Sequence, residues 1–380
     1  MAEKKLKMKI IHVVQAVAHG NLSYADIASG GRGVTGSEQA MLYLARAQAK
    51  KGHQVIVYLP TERDSFQEGV ELLNINAYWP RIRRADNADV VISWLSADAL
   101  RNISPKALRI YSYQINDHMM NGFGYEKQVD LFVAVSEAHK KHLLTEPGAP
   151  PEGSRWAVIP NGVDNARFAK VLERVPKRCA YLSSPDRGLH WALAMWPEIR
   201  FAHPTAELHI FYEVQKWLDN ARLLNSEIGL RSHYVVNKIN ALRTHGVILH
   251  GAVPPDRLAD ELLRSDIMIY PCDPIRFTEG FGVAVMEAHA AGLLSITTDA
   301  DALGEVYSES GCTMIPRVNG TAWTDQFVEA VITTLNNSTD PRYNDVRFKM
   351  QDFASKYDWD IVCDMWQSEI DKAMEVKSGV

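Results

Sequence analysis

A twofold run of alternating strand-like and helix-like segments constrains this chain more than any single motif. In the first half, residues 10–17, 55–59, 90–94, 108–113 and 131–135 are short continuous apolar runs, the signature of strands buried on both faces. Between them lie helical patterns, among them 37–50, closed by Gly52, and 137–144. A Pro/Gly-rich loop at 147–153, the turn Asn161-Gly162-Val163-Asp164 and a charged segment through Lys177 follow, and then the alternation restarts. Strands are expected at 179–182, 207–212, 247–250, 266–270 and 293–298, with helices at 189–202, 215–228, 255–263 and 283–291. Such alternation makes parallel sheets covered by helices, so the expected fold is α/β with two doubly wound Rossmann-like domains. The 380 residues suit two cores better than one. A further helix is expected over 353–374.

Composition narrows the function classes. The net charge of −5 is spread without long runs of one sign, which argues against a nucleic-acid surface. Cys179, Cys272, Cys312 and Cys363 are far apart with no CxxC, so neither zinc nor a disulfide framework is expected, and a reducing, cytoplasmic setting fits. No window reaches transmembrane length. Lys4, Lys5, Lys7 and Lys9, and the aromatic and basic run from Tyr78 to Arg84, leave peripheral membrane contact open beside the plainer reading of solvated surface.

The stretch most informative about function is Phe277-Thr278-Glu279-Gly280-Phe281-Gly282-Val283-Ala284-Val285-Met286-Glu287. A glycine-rich loop here leaves a strand and opens a helix, so the amides of Gly280, Phe281 and Gly282 cluster where a phosphate is favoured. Carboxylates at Glu279 and Glu287, on either side of that anion site, suit the hydroxyls flanking a diphosphate, the shape of a nucleotide-sugar. A second loop, Ser183-Ser184-Pro185-Asp186-Arg187-Gly188, follows the first strand of the second domain, and its Arg187 can meet two phosphate oxygens at once.

Gly31-Arg32-Gly33-Val34-Thr35-Gly36 matches the dinucleotide fingerprint in form only, because about thirteen residues separate it from the preceding strand. Thr35 and Glu38 make a capping box, so Gly30 and Gly31 face a helix start and suit a phosphate or sugar. Asp299-Ala300-Asp301 has a metal-binding form but reads as a loop, and no metal is expected. His118 lies just beyond a strand end in an Asn-Asp-His cluster, where either a structural or a functional role is open.

Together these residues resemble the family 4 retaining glycosyltransferases of the GT-B fold. The resemblance rests on Gly30-Gly31 with the following helix and Lys51-Gly52-His53-Gln54-Val55, on Val135-Ser136-Glu137, on Val158 to Asp164 with Phe168, and on Glu279-x7-Glu287. It implies two domains facing a cleft: residues 1–170 binding the acceptor, 171–359 binding the donor, and a terminal helix near 360–380 packing back on the first. It also implies that Glu287 holds the ribose hydroxyls, that Glu279 contacts the transferred sugar and that the Phe281 and Gly282 amides meet sugar or phosphate. His118 would line the sugar pocket, so His118, Glu279 and Arg187 are the catalytic candidates. The expected reaction moves a sugar from a nucleoside-diphosphate donor, most simply a UDP- or GDP-sugar, to a glycan, lipid-linked or small-molecule acceptor without cofactor or metal. Such a family usually places both an arginine and a lysine on the loop after the first strand of the donor domain. Here Ser183 and Ser184 stand near the first position and Arg187 at the second, so one cation is missing. A nucleotide-sugar 2-epimerase of the same fold and a non-catalytic nucleotide-sugar-binding protein are the alternatives.

Overall fold

The computed structural model describes residues 7–17, 20–27, 31, 33–78, 80, 87–118, 128–224, 226–317 and 321–379. They form two compact units. One holds the described residues up to Gly162, apart from Gly31 and Gly33, together with 357–379; the other holds Val163–Lys356 with Gly31 and Gly33.

The first unit is built on an eight-stranded sheet: β1 (Lys9–Val14), β2 (Gln54–Leu59), β3 (Ser65–Gln67), β4 (Val70–Asn74), β5 (Val90–Trp94), β6 (Leu108–Ser112), β7 (Leu131–Ala134) and β8 (Trp156–Val158). The order is β3-β4-β2-β1-β5-β6-β7-β8, parallel except between β3 and β4. Alternate residues of one strand enter opposite cores, as the pleat requires. Ile10, Val14, Val55, Val57, Val90 and Ile92 pack under helices Gly36–Lys50 and Trp359–Ser378, while Ile11, Val13, Ile56, Tyr58 and Val91 face the other side. Helix Gly36–Lys50 starts with both bonds of the Thr35/Glu38 capping box in place. Helix Trp359–Ser378 is tied to this unit by Trp359 stacking on Tyr43 with centroids 6.0 Å apart and by Lys377 reaching Asp130 at 2.5 Å. Gly162 is a glycine because a Cβ there would lie 2.6 Å from the Trp359 ring.

The second unit has six parallel strands: β9 (Arg178–Tyr181), β10 (Glu207–Ile210), β11 (Val247–Leu249), β12 (Ile267–Tyr270), β13 (Leu294–Thr298) and β14 (Thr313–Ile315), ordered β11-β10-β9-β12-β13-β14. The order reverses between β9 and β12, which pair through Ile267 with Cys179 and Met268 with Ala180. In open α/β sheets that reversal, at the carboxyl ends of the strands, is where ligands bind. The opposite ends are closed by a buried ion pair, Arg347 to Asp266 at 2.5 Å, with Arg347 also donating to the Gly292 carbonyl at 2.8 Å.

Several elements depart from the sequence expectation. The β3–β4 hairpin escapes the pattern because its strands are short; its signal is the two-residue turn Glu68-Gly69, both at positive φ. The helical pattern at 215–228 is two helices, Val214–Leu224 and Ser226–Leu242, and the second runs far past the expected end. Helices Ala322–Asn337 and Arg342–Ser355 were not foreseen. The expected helix at 353–374 breaks before Trp359, where the Asp358 carboxylate caps a new helix by accepting from the Asp360 amide.

Candidate functional site

The β9/β12 switch point brings together the two loops singled out in the sequence. β9 runs into Ser183 and the short turn Pro185–Arg187, and β12 runs into Pro271 to Gly282. The loops touch backbone to backbone at Gly188, where φ is +120° and a Cβ would stand 2.0 Å from the Pro271 carbonyl oxygen, so no other residue fits. Gly282 opens helix Val283–Ala290 at φ +87°, and a Cβ there would run into Leu303 and Tyr307 at 2.7 and 3.0 Å. The Tyr307 hydroxyl donates to the Gly282 carbonyl at 2.7 Å, locking this helix start.

Glu279 is the best-held residue of the site. It is 4% exposed, and its Oε2 accepts from Arg187 Nη1 at 3.2 Å and from the Tyr270 hydroxyl. Ser183 in turn donates to Tyr270 at 3.0 Å. The backbone of Glu279 is held as firmly, because Asp301 Oδ2 accepts from the amides of Thr278 and Glu279 at 2.8 and 2.9 Å. The DxD-like segment is thus a support for the Glu279 loop: Asp299 accepts from the Arg317 amide at 2.8 Å, and Asp301 takes a left-handed turn with φ +53°. Burial, partly opposed by its two amide bonds, raises the Asp301 pKa. Among the described residues no group of acidic, histidine or cysteine side chains is arranged to hold a metal ion. Burial opposes the Arg187 charge, but Glu279 more than offsets it and holds the guanidinium pKa above its usual value. Ser184, at the position of the missing cation, gives its hydroxyl to Asp186.

Glu287 lies about one turn into the same unit's helix Val283–Ala290 and is buried. Burial pushes its pKa up to about 7, against the opposing pull of Arg167. Arg167 sits on the short turn Asn165–Phe168, between Asp164 and Asp256 at 3.7 and 3.6 Å. The sequence reading passed over Arg167; its proximity to the Asn-Gly-Val-Asp turn was the only available signal.

Residues 178–337 match the family of glycosyl transferases group 1. The matched segment runs from the first residue of β9 to the last of helix Ala322–Asn337 and contains Arg187, Glu279 and Glu287. Among curated proteins, the glycogen synthase of Mycobacterium tuberculosis is 29% identical over 216 residues, covering 54% of this chain and 45% of its own. The chain therefore spans about half the length of the curated relatives it matches. Among solved structures, AviGT4, a glycosyltransferase involved in avilamycin A biosynthesis, superposes with a TM-score of 0.66 at 16% identity, covering 98% of this chain and 99% of its own. HepE of Anabaena, in complex with UDP and glucose, gives 0.64 at 13% identity, with coverages of 96% and 100%. The fold is thus that of the GT-B glycosyltransferases, two parallel-sheet Rossmann-like units.

Within that fold, the sequence-predicted residues of the second unit converge. Arg187, Glu279 and Ser183 form one bonded network, and Gly280, Phe281 and Gly282 lead from it into the helix carrying Glu287. Gly31 lies in a loop before the helix at Gly36, and Gly30 falls outside the described residues, as do Lys4, Lys5 and residues 81–84. Tyr78, from the aromatic and basic run, is fully buried with its hydroxyl on the Ala99 carbonyl. His118 is 7% exposed with both ring nitrogens engaged inside the first unit: Nδ1 faces the Tyr113 hydroxyl and Nε2 the Leu143 carbonyl, each at 2.9 Å. His139 and His142, on helix Glu137–Thr145, likewise meet the carbonyls of Ile115 and Asn116 at 3.0 and 2.8 Å. The three imidazoles pin the segment after β6 to that helix. No described helix is long and apolar enough to cross a membrane.

Proposed function

We propose that this protein is a retaining glycosyltransferase that moves a sugar from a nucleoside-diphosphate donor to an acceptor hydroxyl without a metal ion. The observation that carries this reading is the Arg187–Glu279 network at the β9/β12 switch point, beside a helix start that only glycine at 282 permits. In this reading the Gly280 to Gly282 backbone and Arg187 hold the diphosphate, Glu279 accepts from hydroxyls of the transferred sugar, and Glu287 accepts from the ribose hydroxyls. The match of residues 178–337 to group 1 glycosyl transferases and the structural likeness to a protein solved with UDP and glucose support it.

The bond from the anomeric carbon to the leaving phosphate breaks while the acceptor oxygen approaches the same face, and the departing phosphate takes the acceptor proton. Charge builds on the leaving group, so Arg187 and the helix N-terminus lower the barrier electrostatically. No side chain is assigned as a nucleophile: Glu279 is held by Arg187 and Tyr270 in a hydrogen-bonding pose. The unpaired state of all four cysteines suits the reducing, cytoplasmic setting we propose.

Thermal-shift screening with UDP-, GDP-, ADP- and dTDP-sugars, followed by mass spectrometry of products and NMR of the new anomeric centre, tests this. A transferred sugar with its donor configuration, formed equally in EDTA, is expected. An inverted product would remove the retaining mechanism. Conversion of the donor at C2 without any acceptor would favour an epimerase, and tight binding without turnover across a broad acceptor panel would favour a binding protein.

A further inference from the structure

The donor loop lacks one of the cations expected for a diphosphate, and the two serines in its place are occupied: Ser183 with Tyr270, Ser184 with the Asp186 carboxylate, which adds negative charge at that position. Another guanidinium arrives from a distant element. Helix Ser226–Leu242 packs against the Pro185–Arg187 turn, and its Arg231 gives Nη1 to the carbonyl of Asp273 at 3.0 Å, in the loop between β12 and Glu279. That loop is clamped in place, because the Asp273 carboxylate also accepts from the Trp191 indole at 2.6 Å and pairs with Arg317. Among the described residues the acidic partner of Arg231 is Glu227, at a loose 3.8 Å on a largely exposed side chain, so most of its donors remain available to a ligand.

Two buried polar atoms at the neighbouring turn and helix start have no partner among the described residues: Arg187 Nε and His190 Nδ1. Residues 187 and 190 are three apart across the start of helix Leu189–Ala202, and the His190 ring lies within the field of both Arg231 and Asp186. Buried polar atoms are nearly always paired, so two orphans on one turn, next to an incompletely paired guanidinium, point to a ligand that supplies acceptors there.

We propose that Arg231, with His190 beside it, supplies the second cationic contact to the donor diphosphate in place of the absent loop cation. The inference rests on the nucleotide-sugar reading above. Arg231 would meet phosphate oxygens from its place against the Asp273 loop, while the His190 imidazole, neutral because burial and Arg231 hold its pKa down at about 4, adds a hydrogen bond without adding charge.

The test is calorimetric binding of whichever of UDP, GDP, ADP and dTDP the wild type binds most tightly, against the matching nucleoside without phosphates, with Arg231→Ala, Arg231→Gln and Arg187→Ala. Loss of about tenfold to a hundredfold in diphosphate affinity is expected for each Arg231 variant, with nucleoside affinity unchanged. Arg231→Lys should recover part of the loss. Equal loss for nucleoside and diphosphate would make Arg231 a support of the Asp273 loop only, and an unchanged diphosphate affinity would remove it from the site; either overturns the proposal. Should Arg231→Ala fail to fold, Arg231→Gln decides. If the wild type binds none of the diphosphates, or Arg187→Ala changes nothing, it is the underlying donor reading that fails.

Discussion

His118 and Arg187 make an instructive pair: each was picked from the sequence as catalytic, each follows the end of a central strand, and each is enclosed by its own unit. Both nitrogens of the His118 ring are met inside its unit, by Tyr113 and Leu143, and His139 and His142 hold neighbouring carbonyls, although the Tyr111 and Ser112 hydroxyls nearby are buried without a partner among the described residues. The atoms of the Arg187 side chain are not all met: among the described residues its Nε is buried without a partner, as is the Nδ1 of His190. A residue whose hydrogen-bonding capacity is consumed by its own fold serves that fold. One that keeps capacity in reserve, next to glycines that only a close ligand or a close backbone would require, is where the proposed function puts the ligand.

Four substitutions can break or sharpen that contrast. The largest effect is expected from Gly188→Ala, which puts a methyl group into the Pro271 carbonyl at an unfavourable φ and should destabilise the second unit by about 3 kcal/mol or more in denaturant unfolding. A near-neutral result would mean that the two loops are not in contact.

Glu279→Gln keeps the shape and removes the charge, so turnover should fall by about a hundredfold, with a lowered melting temperature because the Arg187 charge loses its buried partner. Retained turnover would take Glu279 out of the chemistry.

Glu287 offers a test by pH. Its folded pKa of about 7 lies above the ordinary 4.5, so the folded state binds the proton more tightly. The associated stability is present below pH 4.5 and is lost as pH rises through about 7, by up to about 3 kcal/mol from (7 − 4.5) × about 1.36 kcal/mol. Nucleotide-sugar affinity should move the other way, rising as the carboxylate forms. Glu287→Gln should flatten both curves, and a wild-type affinity independent of pH between 5 and 8 would exclude the ribose role.

The smallest effect belongs to His118→Gln, expected to lower stability by about 1–2 kcal/mol through the bonds to Tyr113 and Leu143 while leaving turnover nearly intact. A hundredfold loss of turnover at unchanged stability would put His118 back among the catalytic residues and erase the contrast.

Much of the fold was legible because strand and helix periodicity are local. The long apolar strands, the Thr35/Glu38 cap and the Gly282 helix start all appear where short-range pattern puts them. Some elements escape because their signals are brief or continuous with a neighbour, such as the three-residue strand β3, the helix break at Asp358 and the extension of helix Ser226–Leu242; the long helices Ala322–Asn337 and Arg342–Ser355 escape without that reason. At the site, the Glu279 and Arg187 loops were visible as motifs, yet neither their direct bond nor the Tyr270 and Asp301 supports were.

By itself, then, the sequence determined two α/β units and a glycine-rich helix start flanked by carboxylates, because backbone preference and hydrophobic period act over a few residues. The tertiary structure decided which polar groups share a site. Arg231 reaches the Asp273 loop across 42 positions of sequence, Trp191 reaches the same residue across 82, and Glu279 meets Arg187 across 92. Those meetings depend on strand order in the sheet and on which atoms the rest of the fold leaves unpaired, and neither is written in any local pattern.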